Sequence, residues 1–130
     1  MHLTLIDSVD FSIIQFPVTY EIPKSFYALN TFKSVTYTDD ECSIIVPTGS
    51  IDTTNALAVD PEWFIIQITG VLDFSLVGIL TQLADPLAEN GISIFALSTY
   101  NTDYLLIKTK DKKQAVQVLS NCGHTFSNTL

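Results

Sequence analysis

GISIFALSTYNTDYLLIK, residues 91–108, decides how the rest of this 130-residue chain is read. Two apolar runs, residues 92–97 and 104–108, flank a polar break, STYNTD, at 98–103. In the first run Ile92, Ile94 and Ala96 alternate with Ser93, Phe95 and Leu97, which is strand periodicity. Apolar groups on both faces predict a central strand covered on two sides. The break is rich in side chains that bond to nearby backbone and stabilise turns. Nearly every position in it can donate or accept a hydrogen bond, so it is both a hairpin connection and a candidate binding loop.

Composition narrows the classes. The chain is 47% hydrophobic and 15% charged, with a mean hydropathy of +0.32. No apolar run approaches the ~18 residues of a membrane span, and the first ten residues lack the basic start of a signal peptide. A cytoplasmic protein with surface buried against another subunit is the expectation. The net charge of −8 argues against nucleic acid, because phosphate contacts need clustered Lys and Arg. Lys108, Lys110, Lys112 and Lys113 do crowd one segment, which reads as the solvated face of a strand end and helix start. Cys42 and Cys122 lack metal-ligand spacing and read as reduced thiols in a core.

From the N-terminus, residues 2–6 and 11–16 read as two strands separated by a turn at 7–10. Pro17 ends the second. A short helix is expected over 24–32, then a hairpin of strands 34–37 and 42–46 around Asp39, Asp40 and Glu41. Residues 51–61 are the least patterned and mark a boundary, giving modules 1–60 and 61–130. Beyond it, 63–68 is a strand ending at Gly70. Asp73 or Ser75 is placed to cap a helix carrying Leu76, Ile79, Leu80, Leu83 and Leu87. Pro86 should kink that helix and Gly91 should end it. After the hairpin, Asp111 starts a second helix that Gly123 stops, with a last short strand near 124–126. The second half is therefore β-α-β-β-α-β, the α+β ferredoxin-like split unit: an antiparallel sheet with helices on one face. The first half is a smaller β-β-α-β-β module.

That order serves many functions, so it names none by itself. The residues go further. LDFSLVGIL (72–80), ADPLAENG (84–91) and ISIFALSTYNTDYLL (92–106) resemble ACT-domain proteins related to the CASTOR arginine sensors and aspartate-kinase regulatory domains. FKSVTYTDDECSIIV (32–46) is similar, more weakly, to the N-terminal module of small bacterial members. The resemblance implies a non-catalytic regulatory protein that binds a small ligand, usually an amino acid, between ACT units. One wall would be the first strand–helix loop, with Asp73, Phe74, Ser75 and Leu76. The other would be Ser98, Thr99, Tyr100, Asn101, Thr102 and Asp103, where Asp103 matches an acidic ligand contact in the arginine sensors. With at most two units in the chain, a complete pocket is expected to need a homodimer.

Elementary chemistry agrees with those positions. Free amides at a helix start would suit an amino-acid carboxylate, and Asp103 or Asp73 an ammonium group. Tyr100 could cover an aliphatic stem or stack on a cation. Each has a plainer alternative: Asp73 as a cap, Asp103 as the first residue of a strand, Tyr100 and Phe74 as interface or core rings. The competing function is a protein–protein interaction module that binds no ligand. A catalytic reading finds no support: His2 and His124 have no partner motif, and there is no phosphate loop or nucleophile elbow. No cofactor is expected. The run Asp39, Asp40, Glu41 lacks calcium-loop spacing.

Overall fold

A computed structural model describes residues 1–70 and 77–128, and the backbone alone at positions 7 and 8. The chain forms two compact units, a larger one of Met1–Ser8 with Phe64–Leu130 and a smaller one of Val9–Trp63. The first eight residues thus group with the C-terminal part. Two strands run through both units: β1 (His2–Phe16) and β4 (Ala58–Ile68). The expected turn at 7–10 does not form, and β1 is a single strand. Its Asp10 is exposed, so a polar run that reads as a turn can sit in an extended chain at no burial cost. β4 likewise begins five residues before the expected strand.

The larger unit contains α2 (Thr81–Glu89), β5 (Phe95–Ser98), β6 (Asp103–Lys108), α3 (Lys112–Asn121) and β7 (Thr125–Asn128). With the second half of β4 this is the expected β-α-β-β-α-β order. Strand neighbours run β1-β4-β6-β5, with β7 on the other side of β1. The N-terminal strand thereby separates β7 from β4, and β7 pairs with it in parallel, His2 opposite Thr125 and Leu5 opposite Asn128. That one parallel pair departs from the expected all-antiparallel sheet. Both helices cover one face. Phe64, Ile66 and Ile68 of β4, and Leu105 and Ile107 of β6, alternate toward Leu83 and Leu87 of α2 and Ala115 and Leu119 of α3.

Both helices end by the same device. Gly91 and Gly123 adopt φ of +71° and +91°. The amides of Gly91 and Ile92 donate to the Ala88 and Leu87 carbonyls, and those of Gly123 and His124 donate to Ser120 and Leu119. These are Schellman closures, in which glycine takes the left-handed residue without a Cβ clash. Tying Ile92 to the end of α2 also shortens the following strand. Ile92 and Ile94 pack into the core outside the ladder, and β5 starts only at Phe95. β5 is moreover an edge strand and mostly exposed, not the covered central strand that its two apolar faces imply. The interior position belongs to β6.

The start of α2 differs too. The helix begins at Thr81, because Gly78 at φ +73° interrupts any right-handed helix running in from the 70s. Thr81 Oγ donates to the Gly78 carbonyl at 2.7 Å and fixes that approach. Pro86 is accommodated inside α2, and Asn90 Nδ2 donates to its carbonyl at 2.8 Å.

The smaller unit holds α1 (Lys24–Tyr27), β2 (Ser34–Tyr37) and β3 (Cys42–Pro47) with the remaining halves of β1 and β4. Its neighbours run β2-β3-β1-β4, so the order is β-α-β-β-β and not the expected β-β-α-β-β. α1 is four residues long and stops short of the expected residue 32. The β2–β3 hairpin forms as expected, Tyr37 facing Cys42 and Ser34 facing Ile45. Within this unit β4 has β1 on one side and is an edge strand, which is why Pro61 is tolerated in it. β4 leaves the unit after Trp63, next to Glu62, whose φ of +69° marks a local irregularity. The core comprises Ile14, Phe16, Phe26, Cys42, Ile44, Val46 and Ile51. Cys42 fits the core-thiol expectation, whereas Cys122 is exposed.

Candidate functional site

The polar break of the opening stretch is a tight hairpin tip. Ser98 closes β5, Asp103 opens β6, and the two face each other across the ladder. The Thr99 amide donates to the Thr102 carbonyl at 2.9 Å, leaving Tyr100 and Asn101 at the apex. Thr99 Oγ reaches the same carbonyl at 3.2 Å. Side chains that compete for backbone partners hold such a turn without help from the core.

One contact ties this tip to the rest of the unit. Thr102 is 2% exposed, and its Oγ donates to the Ile68 carbonyl at 2.8 Å. Ile68 is the last residue of β4. The hairpin tip is therefore held at the end of the sheet where β4 gives way to the segment leading to α2. Sequence reasoning had no signal for this bond, which joins residues 34 apart.

Asp103 shares the helix-covered side of β6 with Leu105 and Ile107, since alternate strand residues point the same way. Ser98 Oγ donates to its Oδ1 at 2.6 Å, which orients the carboxylate and occupies one of its oxygens. Asp103 is partly buried, whereas Ser98, Thr99 and Asn101 are exposed. Tyr100 at 80% and Val77 at 87% are the most exposed large apolar side chains among the described residues. On the other side of the sheet, Gln67 Nε2 donates to the Tyr104 hydroxyl at 3.4 Å. The structure thus brings Ser98, Thr99, Thr102 and Asp103 into one bonded cluster, with Tyr100 and Asn101 projecting from it. The four other candidate residues, Asp73, Phe74, Ser75 and Leu76, lie outside the described residues.

Metal and membrane chemistry can be addressed for the described part. Among the described residues, no three His, Cys, Asp or Glu side chains are grouped so that they could hold a metal ion. No helix among them is long and apolar enough to cross a membrane.

Comparison with known proteins gives a consistent result. Residues 58–121 match the family model described as ACT domain. The crystal structure of protein Atu0741 from Agobacterium tumefaciens is 30% identical, with a TM-score of 0.86 over 99% of this chain and 93% of that one. The structure of aspartokinase alpha and beta subunits superposes with a TM-score of 0.63 at 20% identity, covering 95% of this chain and 97% of that chain. The regulatory subunit of aspartate kinase from Thermus flavus does so at 0.60 and 13% identity, over 95% and 97%. The last two carry the fold alone. With the family match spanning β4 to α3 and the β-α-β-β-α-β unit formed around it, the chain belongs to the ACT-domain family.

Proposed function

We propose that this chain is a non-catalytic regulatory ACT protein that senses an amino acid where two ACT units meet. The observation that carries the reading is the Thr102–Ile68 bond, which holds the hairpin tip beside the end of β4. An oriented carboxylate is thereby offered next to the segment that leads into α2. Asp103 would take the ligand ammonium through a charge-assisted hydrogen bond, with its other oxygen occupied by Ser98. Thr99 and Asn101 would add polar contacts, and Tyr100 would close over the ligand stem. Asp73, Phe74, Ser75 and Leu76 are proposed as the facing wall. The ACT-domain match over residues 58–121 supports the regulatory part of this reading, and the solved aspartate kinase regulatory subunits share the fold. The smaller unit is read as a reduced ACT-like module, and the protein as cytoplasmic and free of cofactor.

The test is thermal unfolding against each of the twenty amino acids at millimolar concentration. A ligand at ~100 times its Kd adds about 2.7 kcal/mol, roughly 10 °C of midpoint for a chain of this size. Losing a charged hydrogen bond costs about 1.5–3 kcal/mol. Asp103→Ala should therefore cut the shift to roughly 1–5 °C while leaving the unliganded midpoint nearly unchanged. Twenty flat curves would discard amino-acid sensing. They would favour an interaction module, a reading that the exposed Tyr100 and Val77 support.

A second copy is expected to complete the site by pairing along β5. This is an exposed edge strand of four residues, and unpaired edges invite strand addition. Any charge placed on so short a strand lies close to its symmetry mate. Ala96 is exposed, so Ala96→Asp should leave the monomer folded and turn a dimer into a monomer in sedimentation velocity. A wild-type chain that sediments as a monomer at every concentration would rule out the shared site.

A further inference from the structure

The chain has six basic residues, all lysines, and four of them fall between 108 and 113. The other two, Lys24 and Lys33, belong to the smaller unit. The larger unit therefore carries all its lysine charge at one place, the junction of β6 and α3. Against a net charge of −8, a cluster of this kind creates a local region that attracts anions.

The cluster surrounds a depression. A cavity of about 570 Å³ is lined by Lys110, Lys112, Lys113, Val116, Gln117 and Leu5, together with Thr109 and Ser120. The helix contribution is a flank of α3 beside the stripe of Ala115 and Leu119 that enters the core, and Leu5 of β1 closes the depression from the sheet. Among the described residues no carboxylate lines the cavity. The one acidic residue of the adjoining 3-10 turn (Thr109–Asp111) is Asp111, which is not part of the lining. Among the described residues none of the three lining lysines forms an ion pair. Lys112 instead holds its Nζ 5.6 Å from the centre of the Phe64 ring, drawing one charge inward against apolar surface. Leu5, Val116 and the lysine stems make the remaining wall apolar.

We propose that this depression is a binding site for a small dianion attached to an apolar body, of the phosphate monoester class. Three cations that form no ion pair among the described residues match a doubly charged head group, and the apolar wall accommodates the group it is esterified to. The volume falls within the roughly 300–1,000 Å³ of small-molecule sites. The site is separate from the hairpin tip. β6 runs from Asp103 to Lys108, so about 17 Å of strand lies between them at ~3.4 Å per residue. It does not depend on the amino-acid reading.

The test titrates the full chain, ¹⁵N-labelled, with phenyl phosphate at constant ionic strength. Saturable amide shifts at Leu5 and across residues 109–117, with a sub-millimolar Kd, are expected. The double variant Lys110→Ala/Lys113→Ala should weaken binding at least tenfold with its thermal midpoint unchanged, and Lys24→Ala should bind as the parent does. Non-saturating shifts that sodium chloride reproduces would overturn the proposal. So would saturable shifts confined to residues 98–103, which would put the anion at the hairpin. Sedimentation with vesicles containing phosphatidic acid, absent any response to phenyl phosphate, would mean a lipid surface and would equally overturn it.

Discussion

Phe16→Ala should lower stability by about 3–5 kcal/mol, the cost of removing a buried aromatic ring and leaving its cavity. The ring is fully buried in the smaller unit and stacks on Tyr20, centroids 3.7 Å apart and planes 9° from parallel. Stacking adds roughly 0.5–1.5 kcal/mol beyond burial, so the upper half of that range is expected. For a chain of this length the midpoint should fall by about 10–20 °C. The neighbours cannot readily refill the space. Ile14, Cys42 and Ile44 sit on paired strands, β1 and β3, whose register of Phe16 to Cys42 and Ile14 to Ile44 fixes their side chains. Phe16→Leu keeps much of the volume and should cost under about 2 kcal/mol. A loss below 1 kcal/mol for the alanine variant in chemical denaturation would show that this core does not hold the unit together. Hydrogen exchange would locate the effect, since β2 and β3 should lose protection more than β6 and α3.

The contrast between legible and illegible features follows from the range of the interactions. The two helix stops were readable because Gly91 and Gly123 act on carbonyls only a few residues away. The hairpin break was readable for the same reason, although its end residues Ser98 and Asp103 belong to the ladder. Strand continuity was not. Residues 7–10 look like a turn, and only the partners along β1 make them part of a strand. Pro61 likewise argues against a strand until β4 is seen to lie at an edge in the smaller unit. Whether a strand is central or peripheral is a tertiary property, and residues 92–97 carry the apolar pattern of an interior strand in an edge position. Thr102 shows the limit for the site. Its hydroxyl looks like one more turn residue, yet it makes the bond that ties the hairpin tip to the end of β4.

Leu105→Ala separates the scaffold from that site. Leu105 is buried between the sheet and both helices, in one cluster with Phe64, Leu83 and Leu87, and lies two residues beyond Asp103 on the same face of β6. Truncating it removes transfer free energy and opens a cavity under the strand, for about 2–5 kcal/mol or roughly 7–18 °C of midpoint. Asp103 itself is positioned by Ser98 and by the Thr102 anchor, neither of which involves Leu105. The variant should consequently melt far earlier than the parent while keeping the parent's ligand-induced shift. Asp103→Ala should do the reverse, holding the unliganded midpoint and losing at least half of the shift. Leu105→Met, which conserves volume, should cost under about 1.5 kcal/mol. If Leu105→Ala also erased the ligand response, the carboxylate would depend on core packing and not on the bonded hairpin. The two variants would then fail together, and the hairpin tip would lose its standing as a preorganised site.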